Sequence, residues 1–221
     1  MVGEILVGEP SGVARGEVRL AGEARLALAA FAPEWADSVA EGPLEATLVG
    51  SVPLRDPQGA ALTGSVRIAA VRLPLGSGSP AALAAHVDLR DGVLALDRIA
   101  LTAPGLEYSG SARVVAPFAT PRVRLDGIVA TTGDRLAELA GDLPLPLRGG
   151  EARVTISAEG RSPAELRASA HGTIAIAGAR FERSDRVPVT VRRFTSRFAA
   201  RDNAWELADF VLAAPAGEIR G

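Results

Sequence analysis

The stretch Asp91-Gly92-Val93-Leu94-Ala95-Leu96-Asp97-Arg98-Ile99-Ala100-Leu101-Thr102-Ala103-Pro104-Gly105-Leu106-Glu107-Tyr108-Ser109-Gly110 is written almost a second time at the end of the chain. There it runs Asp202-Asn203-Ala204-Trp205-Glu206-Leu207-Ala208-Asp209-Phe210-Val211-Leu212-Ala213-Ala214-Pro215-Ala216-Gly217-Glu218-Ile219-Arg220-Gly221. Asp91 aligns with Asp202, Leu96 with Leu207, Leu101 with Leu212, Pro104 with Pro215 and Gly110 with Gly221. Both copies alternate apolar and polar residues, as a strand with one buried face does. Both also miss a beat at the same place. Leu94 and Leu96 are followed by Ile99 and Leu101; Trp205 and Leu207 are followed by Phe210 and Leu212. One extra residue in an alternating strand is a β-bulge. The chain therefore reads as two copies of a β-rich module of about 110 residues, over 1–115 and 116–221, joined in one continuous sheet.

The same alternation extends outward from both copies. Leu106, Tyr108, Gly110, Ala112 and Val114 oppose Glu107, Ser109, Ser111 and Arg113. Leu62, Gly64, Val66 and Ile68 share a face before the phase shifts to Val71 and Leu73. Gly172, Ile174 and Ile176, then Ala179 and Phe181, reproduce that pattern. Ala152, Val154, Ile156 and Ala158 oppose Glu151, Arg153, Thr155 and Ser157. Turns fall at 55–59, at 76–80 and at Ser162-Pro163, which stands close to where Asp56-Pro57 stood. Two short helices are expected. One covers 33–40, with Pro at its first position and acids in its opening turn; the other covers 134–140, with Thr132 as N-cap and Gly141 as its stop.

Composition narrows the function. Hydrophobic residues make up 48% of the chain but aromatics only 4%, so the apolar faces are built from Ala, Val, Leu and Ile and pack thinly. A net charge of -2 argues against a chain-wide grip on nucleic acid. There is no Cys, which excludes disulfides and thiolate chemistry. The N-terminus has neither the basic nor the long apolar region of a signal peptide, and no run approaches the ~18 apolar residues of a membrane helix. The ending at Gly221, inside the repeated motif, leads to the expectation of a segment cut from a longer protein.

About a dozen strands exceed the roughly ten that a strongly twisted open sheet carries, so the sheet must curl or split. Two short helices cannot cover that much apolar strand. A sandwich, a closed barrel and a trough with an apolar inside remain, and the skipped beats fit strands bending round a trough. The expected fold is all-β: a long curled antiparallel sheet forming a taco-like apolar groove, with two short helices.

In the Asp91-Gly92-Val93-Leu94-Ala95-Leu96 stretch, in 44–68 with Asp56-Pro57 and Gly64 inside it, and in 134–141 followed by 151–181, the chain resembles the AsmA-like and TamB-like proteins of Gram-negative bacteria. These are relatives of the bridge-like lipid-transfer proteins. The resemblance implies a β-groove in the periplasm, anchored in the inner membrane through parts this chain lacks. It implies phospholipid transport toward the outer membrane, or support of outer-membrane protein assembly. The implied partners are phospholipid acyl chains, the inner and outer membranes and an outer-membrane assembly protein; no cofactor, metal, nucleic acid or catalytic role is expected.

On the residues themselves, groove lining is assigned to Val66, Ile68, Leu94, Leu96, Leu106, Tyr108, Val114, Val154, Ile156, Ile174, Ile176, Trp205 and Leu207. A structural or adhesive repeat in which these close on each other as a sandwich core stays open as the alternative. His86 and His171 lack metal-ligand spacing and read as surface or edge residues. Asp134 and Glu138, one helical turn apart, form the remaining carboxylate pair, set among Arg135, Leu136 and Leu139 as in an ordinary amphipathic helix. Arg180, Arg183, Arg186, Arg192, Arg193, Arg197 and Arg201 make a locally basic segment. It reads as a solvated outer face, with contact to anionic headgroups as the sharper alternative.

Overall fold

A computed structural model describes residues 13–23, 43–53, 57–72, 80–117, 119–139, 147–182, 188–201 and 204–221. Within them the strands are β1 (Val13–Glu23), β2 (Pro43–Pro53), β3 (Ala61–Arg72), β4 (Pro80–Arg90), β5 (Val93–Ala103), β6 (Leu106–Val115), β7 (Arg122–Thr132), β8 (Leu147–Arg148), β9 (Glu151–Gly160), β10 (His171–Phe181), β11 (Val189–Arg201), β12 (Ala204–Ala214) and β13 (Gly217–Arg220). All thirteen join one antiparallel sheet in chain order, except that the two-residue β8 pairs beside β9 on β10. The sheet curls without closing. Twelve strands about 4.8 Å apart give it a width of about 50 Å measured along the sheet.

Local chemistry accounts for this simple order. Asp91 (φ 51°) and Gly92 (φ 67°) make a two-residue turn between β4 and β5, both in the left-handed region that a type I′ hairpin demands. Pro104-Gly105 closes β5 onto β6 equally tightly. Turns this short force each strand to pair with the next one in sequence.

The missed beats are bulges. Register slips between Leu96 and Ile99, where Arg98 sits at φ 52°. It slips again between Thr195 and Arg197 on β11, opposite Asp209 of β12 at φ 50°. Arg98 and Asp209 hold the same place in the repeated stretch. A third slip, between Ile68 and Val71, follows the phase shift expected in β3. Its counterpart in the second copy is not a bulge against β11. Ile176 and Ala179 are buried there with Gly178 (φ 67°) between them, and the facing β11 buries Val191 and half-buries Phe194, so both strands shift phase together and stay in register.

The helices differ in part from expectation. α1 (Gly133–Leu139) lies where 134–140 is predicted, and the Thr132 hydroxyl accepts from Arg135 N at 3.3 Å, as an N-cap does. The 33–40 segment and Gly141 lie outside the described residues. The second described helix, α2 (Pro163–Ser169), follows the Ser162-Pro163 position that the sequence presents as a turn. Ser162 caps it by accepting from Glu165 N at 3.2 Å, and the Glu165 carboxylate accepts from Arg161 N at 2.8 Å. Such capping contributes about 1 kcal/mol. The Ser-x-x-Glu spacing with Pro at the first helical position was the available signal.

Among the described residues no second sheet lies over this one, yet Ile99 and Leu101 are each only 8% exposed. Their shelter must come from the curl, so the apolar face is its inside. Two clusters form there. Ala81, Leu101, Ala103 and Leu106 pack with Leu83, Tyr108 and Val129. Leu147, Ala152, Ile176 and Ala179 pack with Leu136 of α1, Ile174, Phe181 and Phe194. α1 therefore packs over the inner face beside β9 and β10, and β8, paired within the sheet, adds Leu147 to the same cluster.

Candidate functional site

Cross-strand pairing aligns the apolar positions into rows that cross the sheet. One row runs Leu44, Ile68, Leu83, Leu101, Tyr108, Val129, Val154, Ile174 and Ser196. A parallel row runs Leu48, Gly64, Val87, Leu96, Ala112, Leu125 and Ala158. No charged residue of the described strands stands on this face; the register puts every Asp, Glu and Arg of the strands on the other side. Period-2 alternation kept in register across so many hairpins produces that segregation.

The few hydroxyls on the inner face are turned into the backbone. Tyr108 Oη donates to the Asp126 carbonyl at 3.3 Å, and Thr131 Oγ1 to the Gly105 carbonyl at 2.7 Å. Ser196 Oγ reaches the carbonyls of Arg197 and Ala208 at 2.9 and 3.0 Å, across the β12 bulge. These satisfied groups leave a surface without polar anchors.

Tyr108 also closes a gap in the floor. Gly110 and Gly127 face each other across β6 and β7, and a Cβ on either would run into the Tyr108 side chain. The ring covers a patch that has no side chains of its own. Burial, reinforced by the Asp126 charge, pushes the Tyr108 phenol up to about 12 from its ordinary 10.0. Because it is the sole tyrosine, an alkaline ultraviolet titration reads it directly. The folded protein should ionise near 12 and the denatured chain near 10.0. The folded form binds this proton more tightly, so stability present below pH 10 should decline as the pH rises toward 12. A folded-state midpoint at the ordinary value would show that the ring does not lie buried over the glycine pair.

All thirteen residues expected to line a groove fall on this one face. Val66, Leu94, Leu96, Tyr108, Val114, Val154, Ile156 and Ile174 are half-buried. Ile68, Leu106 and Ile176 are buried; the last two serve the local clusters. Trp205 and Leu207 stand on the exposed stretch of β12, at 38% and 53% exposure, with Trp205 tilted against Phe198 at a ring separation of 5.5 Å. Leu83, Ile99, Leu101, Leu125 and Val129 belong to the same surface and were not singled out from the sequence. Their alternation was visible; their partners across the hairpins were not.

The polar candidates are committed to local structure. Asp134 accepts from Gly149 N at 2.6 Å, and Glu138 pairs with Arg135 at 2.5 Å. On the outer face Asp126, Ser157 and His171 fall in one row. Ser157 Oγ donates to the Asp126 carboxylate at 2.6 Å, while His171 Nδ1 donates to the Ser169 carbonyl at 3.0 Å. The serine proton thus points at the acid, the reverse of the order that activates a nucleophile. The Ser157 hydroxyl, and after it the Arg124 guanidinium, hold the Asp126 carboxyl below its usual range. His86 lies 3.4 Å from Thr63 Oγ1. Among the described residues no three His, Asp or Glu side chains are grouped to hold a metal. A depression of about 300 Å³ lies between β2 and β5, largely on the outer face, lined mainly by Glu45, Arg67, Ala69, Ala82, Ala84 and Ala100.

Neither a scan against protein-family models nor searches of curated proteins and solved structures return a match for this chain.

Proposed function

We propose that the chain is a lipid-conduit segment of the AsmA-like or TamB-like kind. In that role it shields phospholipid acyl chains on the inside of its curled sheet during transport between the inner and outer membranes, or during outer-membrane biogenesis. The observation that carries the reading is the uncharged inner face, continuous from strand to strand in a sheet that does not close. Each CH₂ removed from water contributes ~0.8 kcal/mol, so a sixteen-carbon chain resists exposure by roughly 12 kcal/mol. A strip of small aliphatic side chains removes most of that barrier. With its hydroxyls bonded to backbone, it also offers no deep polar site in which a lipid would stall. In this reading the protein performs no bond chemistry and works in the periplasm.

A second reading, a structural or adhesive β-repeat with a closed core, draws on the two clusters that bury Leu106 and Ile176. Photo-crosslinkers at Val154 and Ile174, with controls at the exposed Ser65 of β3 and Ser109 of β6 on the opposite face, separate the two. The conduit predicts phospholipid adducts at the inner positions and none at the controls. Lipid-free protein without adducts would favour the closed module.

A further inference from the structure

The outer face carries its own asymmetry. Arg153 of β9 pairs with Ala175 of β10, which pairs with Thr195 of β11; Arg193 pairs with Ala177, and Arg180 with Thr190. With strands about 4.8 Å apart and residues about 3.4 Å apart along them, the Cα of Arg193 lies within roughly 12 Å of those of Arg153 and Arg180. Arg192 adjoins it, and all four side chains are exposed. Between them Ala175, Ala177 and Gly178 are exposed too, so little side chain rises to fence off the guanidinium groups.

Nearby ion pairs engage other residues. Arg148 meets Asp134 and Glu182, Arg122 meets Glu159, and Arg197 meets Asp209. Glu218, in the row of Arg193, is paired with Arg220 at 2.7 Å, so the four arginines face Glu107 and Glu151 on their other sides. The corresponding strands of the first copy are balanced: Glu45 stands opposite Arg67, and Arg90 pairs with Asp88 at 2.9 Å. An excess of positive charge on one part of a chain whose net charge is -2 is a directed field rather than a general property.

We propose that the outer face of β9–β11 is a docking surface for an anionic phospholipid membrane, laid against the bilayer by Arg153, Arg180, Arg192 and Arg193. Guanidinium groups match phosphate oxygens in pairs, and the low alanine floor lets them reach one plane. This goes beyond the conduit reading, and the two fail separately. Acyl adducts inside the curl report the conduit, whereas vesicle binding reports the docking face.

Co-sedimentation of the full chain with vesicles tests it, using phosphatidylcholine alone and phosphatidylcholine with one-third phosphatidylglycerol. Binding is expected only to the anionic vesicles and should fade as salt is raised. The R153S/R192S/R193S variant should lose roughly a hundredfold in affinity, at about fivefold per arginine. An R67S/R90S variant on the first copy should bind as the parent does. If the triple variant loses its strand signal in circular dichroism, Arg193→Glu carries the test, with a loss of at least about fivefold. Equal binding to neutral vesicles, unchanged binding by the arginine variants, or retention of a single-stranded oligonucleotide without vesicle binding would overturn the proposal.

Discussion

Ile176→Asp is expected to unfold the second half of the sheet, while Ala175→Asp, one residue away, should leave stability within about 0.5 kcal/mol of the parent. Ile176 is 3% exposed in the cluster with Leu147, Ala152 and Ala179, under Leu136 of α1. No cation of the strands stands on that face, and Arg135 of α1 is already paired with Glu138, so the substitution combines a lost aliphatic contact with a buried charge that has no ready partner. Together these should cost at least ~4 kcal/mol, a large fraction of the ~5–15 kcal/mol that holds a domain folded. Ala175 is exposed, with Arg153 directly opposite. Urea unfolding followed by circular dichroism compares the two. Similar losses from both variants would mean that the sheet has no privileged face, and the conduit reading would fall with it.

Gly172→Ala should be the other large effect, with a sign opposite to the usual one. Alanine in place of a strand glycine ordinarily stabilises by about 0.5–1 kcal/mol, because glycine loses more backbone freedom on folding. Here a Cβ would run into the Thr155 carbonyl oxygen of the neighbouring strand. Gly64, its counterpart in the first copy, stands in the same relation to the Thr47 carbonyl. Relieving such a contact requires β9 and β10 to separate, so a loss of about 3 kcal/mol is expected. Gly92→Ala provides the contrast. Nothing lies within 4 Å of a Cβ there, and only the positive φ of 67° opposes it. Its cost should be near 1–2 kcal/mol. A thermal melt that ranks Gly92→Ala below Gly172→Ala would contradict the close approach of the two strands.

Much of the inner face was legible because alternation is a local property. A strand's side chains take opposite sides with period 2 whatever the strand pairs with. Val154, Ile156, Ile174 and Ile176 could therefore be assigned one face without knowledge of their neighbours. The bulges at Arg98 and Asp209 were legible for the same reason, since an extra residue breaks the phase wherever the strand lies. α2 departs from that reading although its signal is also local: Ser162-Pro163 aligns with the turn of the first copy, whereas Ser162 and Glu165 in capping spacing specify a helix start.

The amino-acid order thus settled that the chain is β-rich, that the stretch from Asp91 to Gly110 is nearly rewritten from Asp202 to Gly221, and which side of each strand avoids charge. Pairing in space settled the rest. The closure of the Tyr108 ring over Gly110 and Gly127, and the packing of Leu136 of α1 and Leu147 of β8 with Ile176, depend on contacts between residues far apart in the chain. So does the gathering of Arg153 with Arg180, Arg192 and Arg193 on one side of three strands. Periodicity assigns a side chain to a face, but only hairpin register and the curl of the sheet determine what stands beside it.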